Sequence, residues 1–260
     1  MPTRILFVAA VMLSVTAQAG TILELVHRPL PGTDTGRVTT TYAQGGQMRV
    51  ESSDGNGYII FKGDALYALN NKEHNYTVMD RETLRKMADT INPALKQMRE
   101  RLEQMPPEQR AQMERMLGGR MGGTEQSPVE VRKTARTDKV AGYSCSYVEL
   151  VRDGALQDEI CVAAPSVLKG GDELMTAAQK ASALVQDMFK DLDAPWLKQS
   201  VDRQIQNYSQ LGGLPILTRH FEDGKPVSES TVRSVRSEAI PAATFEVPAG
   251  YTRKELMMHK

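Results

Sequence analysis

Thioether sulfur is the most concentrated chemistry in this chain. It holds 14 methionines, and Met87, Met98, Met105, Met113, Met116 and Met121 fall close together. Methionine sulfur suits two tasks. It ligates soft ions such as Cu(I), or it lends a pliant wall to an apolar ligand. A copper site needs ligands that converge. These methionines are seven or eight residues apart more often than three or four, which disperses them along a helix, and the histidines (His27, His74, His220, His259) are scattered. Copper binding is therefore the lesser reading, and no metal ligand set or cofactor is expected. The ligand-binding reading places Met87, Met98, Met105, Met113 and Met116 in a lid, with Tyr58, Ile60 and Leu66 beneath it as the floor of an apolar cavity. The plainer alternative is that these side chains fill the core under an amphipathic helix.

The chain has two cysteines, Cys145 and Cys161. Residues 143–151 and 155–163 read as strands, with Arg152-Asp153-Gly154 as a three-residue hairpin loop. Pairing Val151 with Ala155 puts Cys145 opposite Cys161, close enough for a disulfide. No Cys-x-x-Cys spacing points to redox or zinc chemistry.

Catalytic signatures are missing. There is no Gly-x-Ser-x-Gly elbow, no His-Glu-x-x-His pair and no phosphate loop. Asp153, Asp158 and Glu159 flank a hairpin, where acids are usually solvated. His220 alternates with Thr218 and Ile216 as a strand residue does. The expectation is a protein that is not an enzyme. A formal charge of +0 and 5% aromatic residues argue against a nucleic-acid partner.

Residues 1–19 read as an export signal. Arg4 precedes a short apolar run, and Ala17-Gln18-Ala19 is a small-x-small cleavage site before Gly20. The run is too short to span a bilayer. The expected mature chain is soluble, periplasmic or secreted, without a transmembrane segment.

The elements that must position these groups follow from periodicity. Segments 21–30, 37–43, 47–51, 57–62, 65–69 and 75–79 alternate apolar and polar residues between glycine-rich turns, as an antiparallel meander does. From Asp80 the period changes. Leu84, Ala88, Ile91, Leu95, Met98, Leu102 and Met105 form a helical stripe, and Asn92-Pro93 marks a kink or a fresh start. Pro107 opens another helix, ending at Gly118-Gly119. Strands return at 129–139. Gly170-Gly171-Asp172 starts a helix whose apolar face is Leu174, Ala178, Ala181, Leu184, Val185, Met188 and Leu192. A further helix begins at Pro195. A hairpin over 216–222 and 227–237 follows, then a short last strand at Phe245-Glu246-Val247.

Phe245-Glu246-Val247-Pro248-Ala249-Gly250-Tyr251 resembles the "Phe-x-Val-Pro-x-Gly-Tyr" close of the LolA/LolB-like superfamily of bacterial periplasmic proteins. Val140-Ala141-Gly142-Tyr143-Ser144-Cys145 resembles the "Val-x-Gly-Tyr-x-Cys" strand start of an uncharacterised periplasmic family within it, and Gly213-Leu214-Pro215 resembles its "Gly-x-Pro". The resemblance implies an α+β fold: a large curved antiparallel sheet, an open half-barrel, covered on its concave face by helical insertions. It also implies a cavity able to hold acyl chains. The expectation is one domain over residues 20–260 with a Met-rich insertion at about 81–121. It would bind a lipid or other hydrophobic ligand. A chaperone-like module with an envelope protein partner is the alternative.

Overall fold

The computed structural model describes residues 19–32, 35–109, 112, 127–191 and 195–255. Six strands come first: β1 (Gly20–Pro29), β2 (Arg37–Gln44), β3 (Gln47–Ser52), β4 (Gly57–Lys62), β5 (Ala65–Asn70) and β6 (Asn75–Asp80). Helix α1 (Arg81–Glu103) follows. Then come β7 (Glu130–Val140), β8 (Tyr143–Arg152) and β9 (Ala155–Ala163). Helices α2 (Gly171–Met188) and α3 (Pro195–Gln210) precede β10 (Leu214–Glu222), β11 (Lys225–Glu238) and β12 (Thr252–Arg253).

All twelve strands form one unclosed sheet in the order β12-β6-β5-β4-β3-β2-β1-β11-β10-β9-β8-β7. Two meanders, β1–β6 and β7–β11, are joined where β1 pairs with β11 from Gly20↔Glu238 to Pro29↔Ser228. Every pairing is antiparallel except β12 with β6. Among the described residues, no helix is long and apolar enough to cross a membrane.

Period-two alternation gives β1–β6 two distinct faces. On one face Ile22, Tyr58, Ile60 and Leu69 are buried against Ile240 and Phe245. On the other, Ala43 packs with Leu174 and Ala177 of α2, flanked by Leu23 and Met48. The apolar face of α2 thus includes Ala177, 1% exposed, rather than the expected Ala178, which is exposed. Gly170, with φ +83, opens α2, and a Cβ there would lie 2.0 Å from Thr21 Oγ1. That hydroxyl donates to Gly170 O at 3.0 Å, tying the start of β1 to the start of α2.

Helix α1 is capped by Asp80, whose carboxylate accepts from Thr83 N–H at 2.7 Å. The helix runs through Pro93, so no fresh start falls at Asn92-Pro93. Proline removes a single backbone donor, and the remaining turns continue on either side.

Two expectations need correcting at the strand level. The β8–β9 turn is a two-residue loop, with Asp153 at φ 53 and Gly154 at φ 76, so Arg152 pairs with Ala155. A bulge at Leu150/Val151 then shifts the register, and Cys161 lies opposite Tyr147. Cys145 reaches Cys161 diagonally on the same face. The disulfide is formed, with the Cα atoms 5.3 Å apart. The expected strand at Phe245-Glu246-Val247 does not form: Phe245 ends a 3-10 turn, Ala242–Phe245, Glu246 and Val247 follow it outside any strand, and the last strand is β12. Pro241 and Pro248 bracket the segment and cannot donate to a ladder. The turn drives Phe245 into the sheet, where it is 4% exposed.

Candidate ligand-binding cleft

Helix α2 crosses the end of the sheet that carries the β2–β3 turn. Gly46 N–H donates to the Glu173 carboxylate at 3.0 Å. Lys180 lies over the same turn, where a Cβ on Gly46 would meet its Nζ at 2.2 Å. Beyond this contact the helix and the strand ends part, leaving a cleft of about 980 Å³. Phe61, Ala181, Leu184 and Met188 supply its apolar surface, and Arg81, Lys180 and Lys190 its cationic groups.

The cations differ in how far they are neutralised. Lys190 pairs with Asp187, and this hydrogen bond holds the Asp187 carboxyl below its usual range. Arg81 pairs loosely with Asp191 at 3.7 Å. Lys180 has no ion pair among the described residues. The arrangement offers a hydrocarbon surface under an available ammonium group.

The residues expected to form a cavity are not gathered in one place. Tyr58 and Ile60 are 8% and 0% exposed, and they face the C-terminal segment. Arg49 stacks on Tyr58 at 3.7 Å. Burial pushes the Tyr58 hydroxyl above its usual value, against the pull of Arg49. Leu66 pairs with Phe61, whereas Ile60 pairs with Tyr67. Leu66 therefore lies on the opposite face from Ile60. A void of about 160 Å³ remains between Ile60, Tyr67, Phe245 and Val247.

Met87 lines a separate cleft of about 770 Å³ with Val78, Thr83 and Thr90, rimmed by Lys86 and Arg253. Met98 on α1 and Met105 just past its end are half-buried. Met113 and Met116 lie outside the described residues, as do residues 1–18 of the expected signal and most of the expected helix after Pro107. Among the described residues, no three His, Cys, Asp or Glu side chains converge to hold a metal ion.

The α2 cleft draws on Phe61, Arg81 and the 180–190 segment. These residues read separately as core, helix start and helix face. The signal that could have found them is the breadth of apolar residues on α2, wider than a single stripe against the sheet needs.

The fold and cleft define an unclosed-sheet protein with an amphiphilic groove at one sheet end. No family model matches the chain, and no curated protein matches its sequence. Among solved structures, it is similar to an uncharacterized conserved protein from Thermus thermophilus, at 8% identity and TM-score 0.44, over 92% of this chain and 91% of that one. It is also similar to the Pseudomonas aeruginosa MucA/MucB complex structure, at 9% and 0.36, over 90% of this chain and 56% of that one. A LolA superfamily protein from Nitrosomonas europaea aligns at 7% and 0.26, over 89% and 91%. Likenesses at these TM-scores assign neither a family nor a function.

Proposed function

We propose that this chain is an exported, non-catalytic carrier of an amphiphile with an acyl tail and an anionic head. The supporting observation is the α2 cleft, where Phe61, Ala181, Leu184 and Met188 lie beside Lys180, which has no ion pair among the described residues. A tail on the apolar side chains gains the hydrophobic term, and the ammonium group offers charge-assisted bonds to a carboxylate or phosphate. In this reading residues 1–19 direct export to the periplasm, and the formed Cys145–Cys161 bridge suits that oxidising compartment. Residues 20–260 form one unit whose sheet curves as a half-barrel. The insertion over 81–121, with Met87, Met98, Met105, Met113 and Met116, covers its concave face, and Tyr58, Ile60 and Leu66 contribute to the walls.

Native mass spectrometry of protein purified from a bacterial periplasm tests this reading, together with titration of a fluorescent fatty acid. Co-purified lipid and saturable uptake are expected. A protein free of lipid that also fails to take up the probe overturns the carrier role.

A further inference from the structure

A second cleft, of about 350 Å³, lies between α3 and the sheet, and its chemistry is the reverse of the first. Helix α3 turns a polar face toward it. Ser200, Arg203, Gln204 and Asn207 recur at helical spacing and all line the cleft. The sheet side supplies Arg152, Gln157 and His220. Arg203 and Asn207 are half-buried on this face, and Ser200 and Gln204 are exposed at its rim.

Arg152 Nε is buried and has no hydrogen-bond partner. The bulge at Leu150/Val151 precedes this residue and re-aims it. Arg203 has no ion pair among the described residues. Among the described residues, Asp158 is the one carboxylate lining the cleft, and it is already engaged with His220 Nδ1 at 2.9 Å. That contact orients the imidazole. Among the described residues, the cleft therefore holds two guanidinium groups without an ion pair and several amide donors, and its one carboxylate is engaged. A buried donor without a partner is destabilising, so the site lacks the acceptor it is built around.

We propose that this cleft binds a tetrahedral oxyanion, a phosphate group above all. Guanidinium matches phosphate geometry through paired N–H donors. The donors approach from both the helix and the sheet, a spread that a tetrahedral acceptor meets and a planar carboxylate does not. The site is independent of the α2 cleft and of the carrier reading.

Calorimetric titration at low ionic strength tests it with three probes: inorganic phosphate, glycerol 3-phosphate and phosphatidic acid vesicles. Saturable binding of at least one probe is expected, weakened tenfold or more by Arg203→Gln and by Arg152→Gln. Lys198→Gln removes a charge from the same helix outside the cleft and should leave binding unchanged. Circular dichroism confirms that each variant is folded, and Arg203→Gln carries the test if Arg152→Gln is not. Binding of the soluble probes marks a free phosphate ester as the ligand. Binding of vesicles alone marks a lipid headgroup. The proposal is overturned if no probe binds, or if all three variants weaken binding equally.

Discussion

Arg136 on β7 donates to Glu159 on β9 at 2.6 Å although β8 lies between their strands. The guanidinium crosses β8 by stacking on the Tyr147 ring at 4.2 Å. The ladder continues over the neighbouring strands. Arg219 bonds Glu159 at 3.3 Å and Glu229 at 2.8 Å, and Arg28 bonds Glu229 at 3.1 Å. The carboxylates are covered and the arginines lie over them, with Glu159 side-chain exposure at 9% and Arg136 at 55%. Replacing Glu159 with Gln leaves two guanidinium groups facing a neutral amide. Breaking a fully buried pair costs about 3–5 kcal/mol. The exposed arginines recover solvent, so Glu159→Gln should cost about 2 kcal/mol, read as a lower urea midpoint with an unchanged slope.

Asp80 couples the first meander to α1, and its effect depends on pH. The Thr83 N–H bond is the largest influence on its carboxyl and lowers its pKa in the folded chain. A folded value below the unfolded one means that the charged form stabilises the fold. This stabilisation is complete above the unfolded value of about 3.9 and is lost as pH falls through the folded value. Asp80→Ala should cost about 1 kcal/mol at neutral pH. Stability curves of the two proteins should converge in acid, and a gap that persists at the lowest pH would contradict the cap.

Where strands and helices lie was largely legible, because each rests on local periodicity. Tyr58, Ile60 and Leu69 alternate toward one face as their spacing requires. The irregularities were not legible. The bulges at Lys133/Thr137, Leu150/Val151 and Pro215/Leu217 depend on which strand lies alongside, and a one-residue slip exchanges the faces. This is why Cys161 meets Tyr147 in register and Cys145 on the diagonal. The clefts were hidden for a related reason. Phe61, Arg81 and Lys180 come together only because α2 crosses the strand ends, and no local spacing encodes that crossing.

The disulfide offers a separate check. It closes a loop with a sequence separation of 16, for which the chain-entropy account gives about 3 kcal/mol. Replacing Cys145 and Cys161 together with Ser should lower stability by about that amount. Reductant should then cease to affect the urea midpoint. If reductant shifts the double variant as it shifts the parent, the stabilisation lies elsewhere.

Phe245 is the anchor of the C-terminal segment over Tyr58 and Ile60. Truncating a buried phenylalanine costs about 3–5 kcal/mol. Phe245→Ala should destabilise by the lower part of that range, since the small void beside it allows some collapse. It should leave fatty-acid affinity within about threefold at temperatures where the protein is folded, because Phe245 is on the face away from α2. A large loss of affinity in the folded variant would place the acyl site under the C-terminal segment instead.

The α2 cleft itself is tested by filling it. Ala181 is 7% exposed and lines the cleft, so Ala181→Trp adds bulk where the tail should lie. The added ring can occupy the open part of the cleft, and the cost in stability should stay below the ~1–3 kcal/mol of overpacking a closed core. Uptake of a fluorescent fatty acid should fall tenfold or more. Lys180→Gln should act differently, because the Lys180 ammonium faces the head and not the tail. It should weaken a fatty acid severalfold and leave an uncharged long-chain alcohol unaffected. If Ala181→Trp binds the acid as the parent does, the tail does not enter this cleft. If Lys180→Gln weakens acid and alcohol alike, the lysine acts through packing and not through its charge.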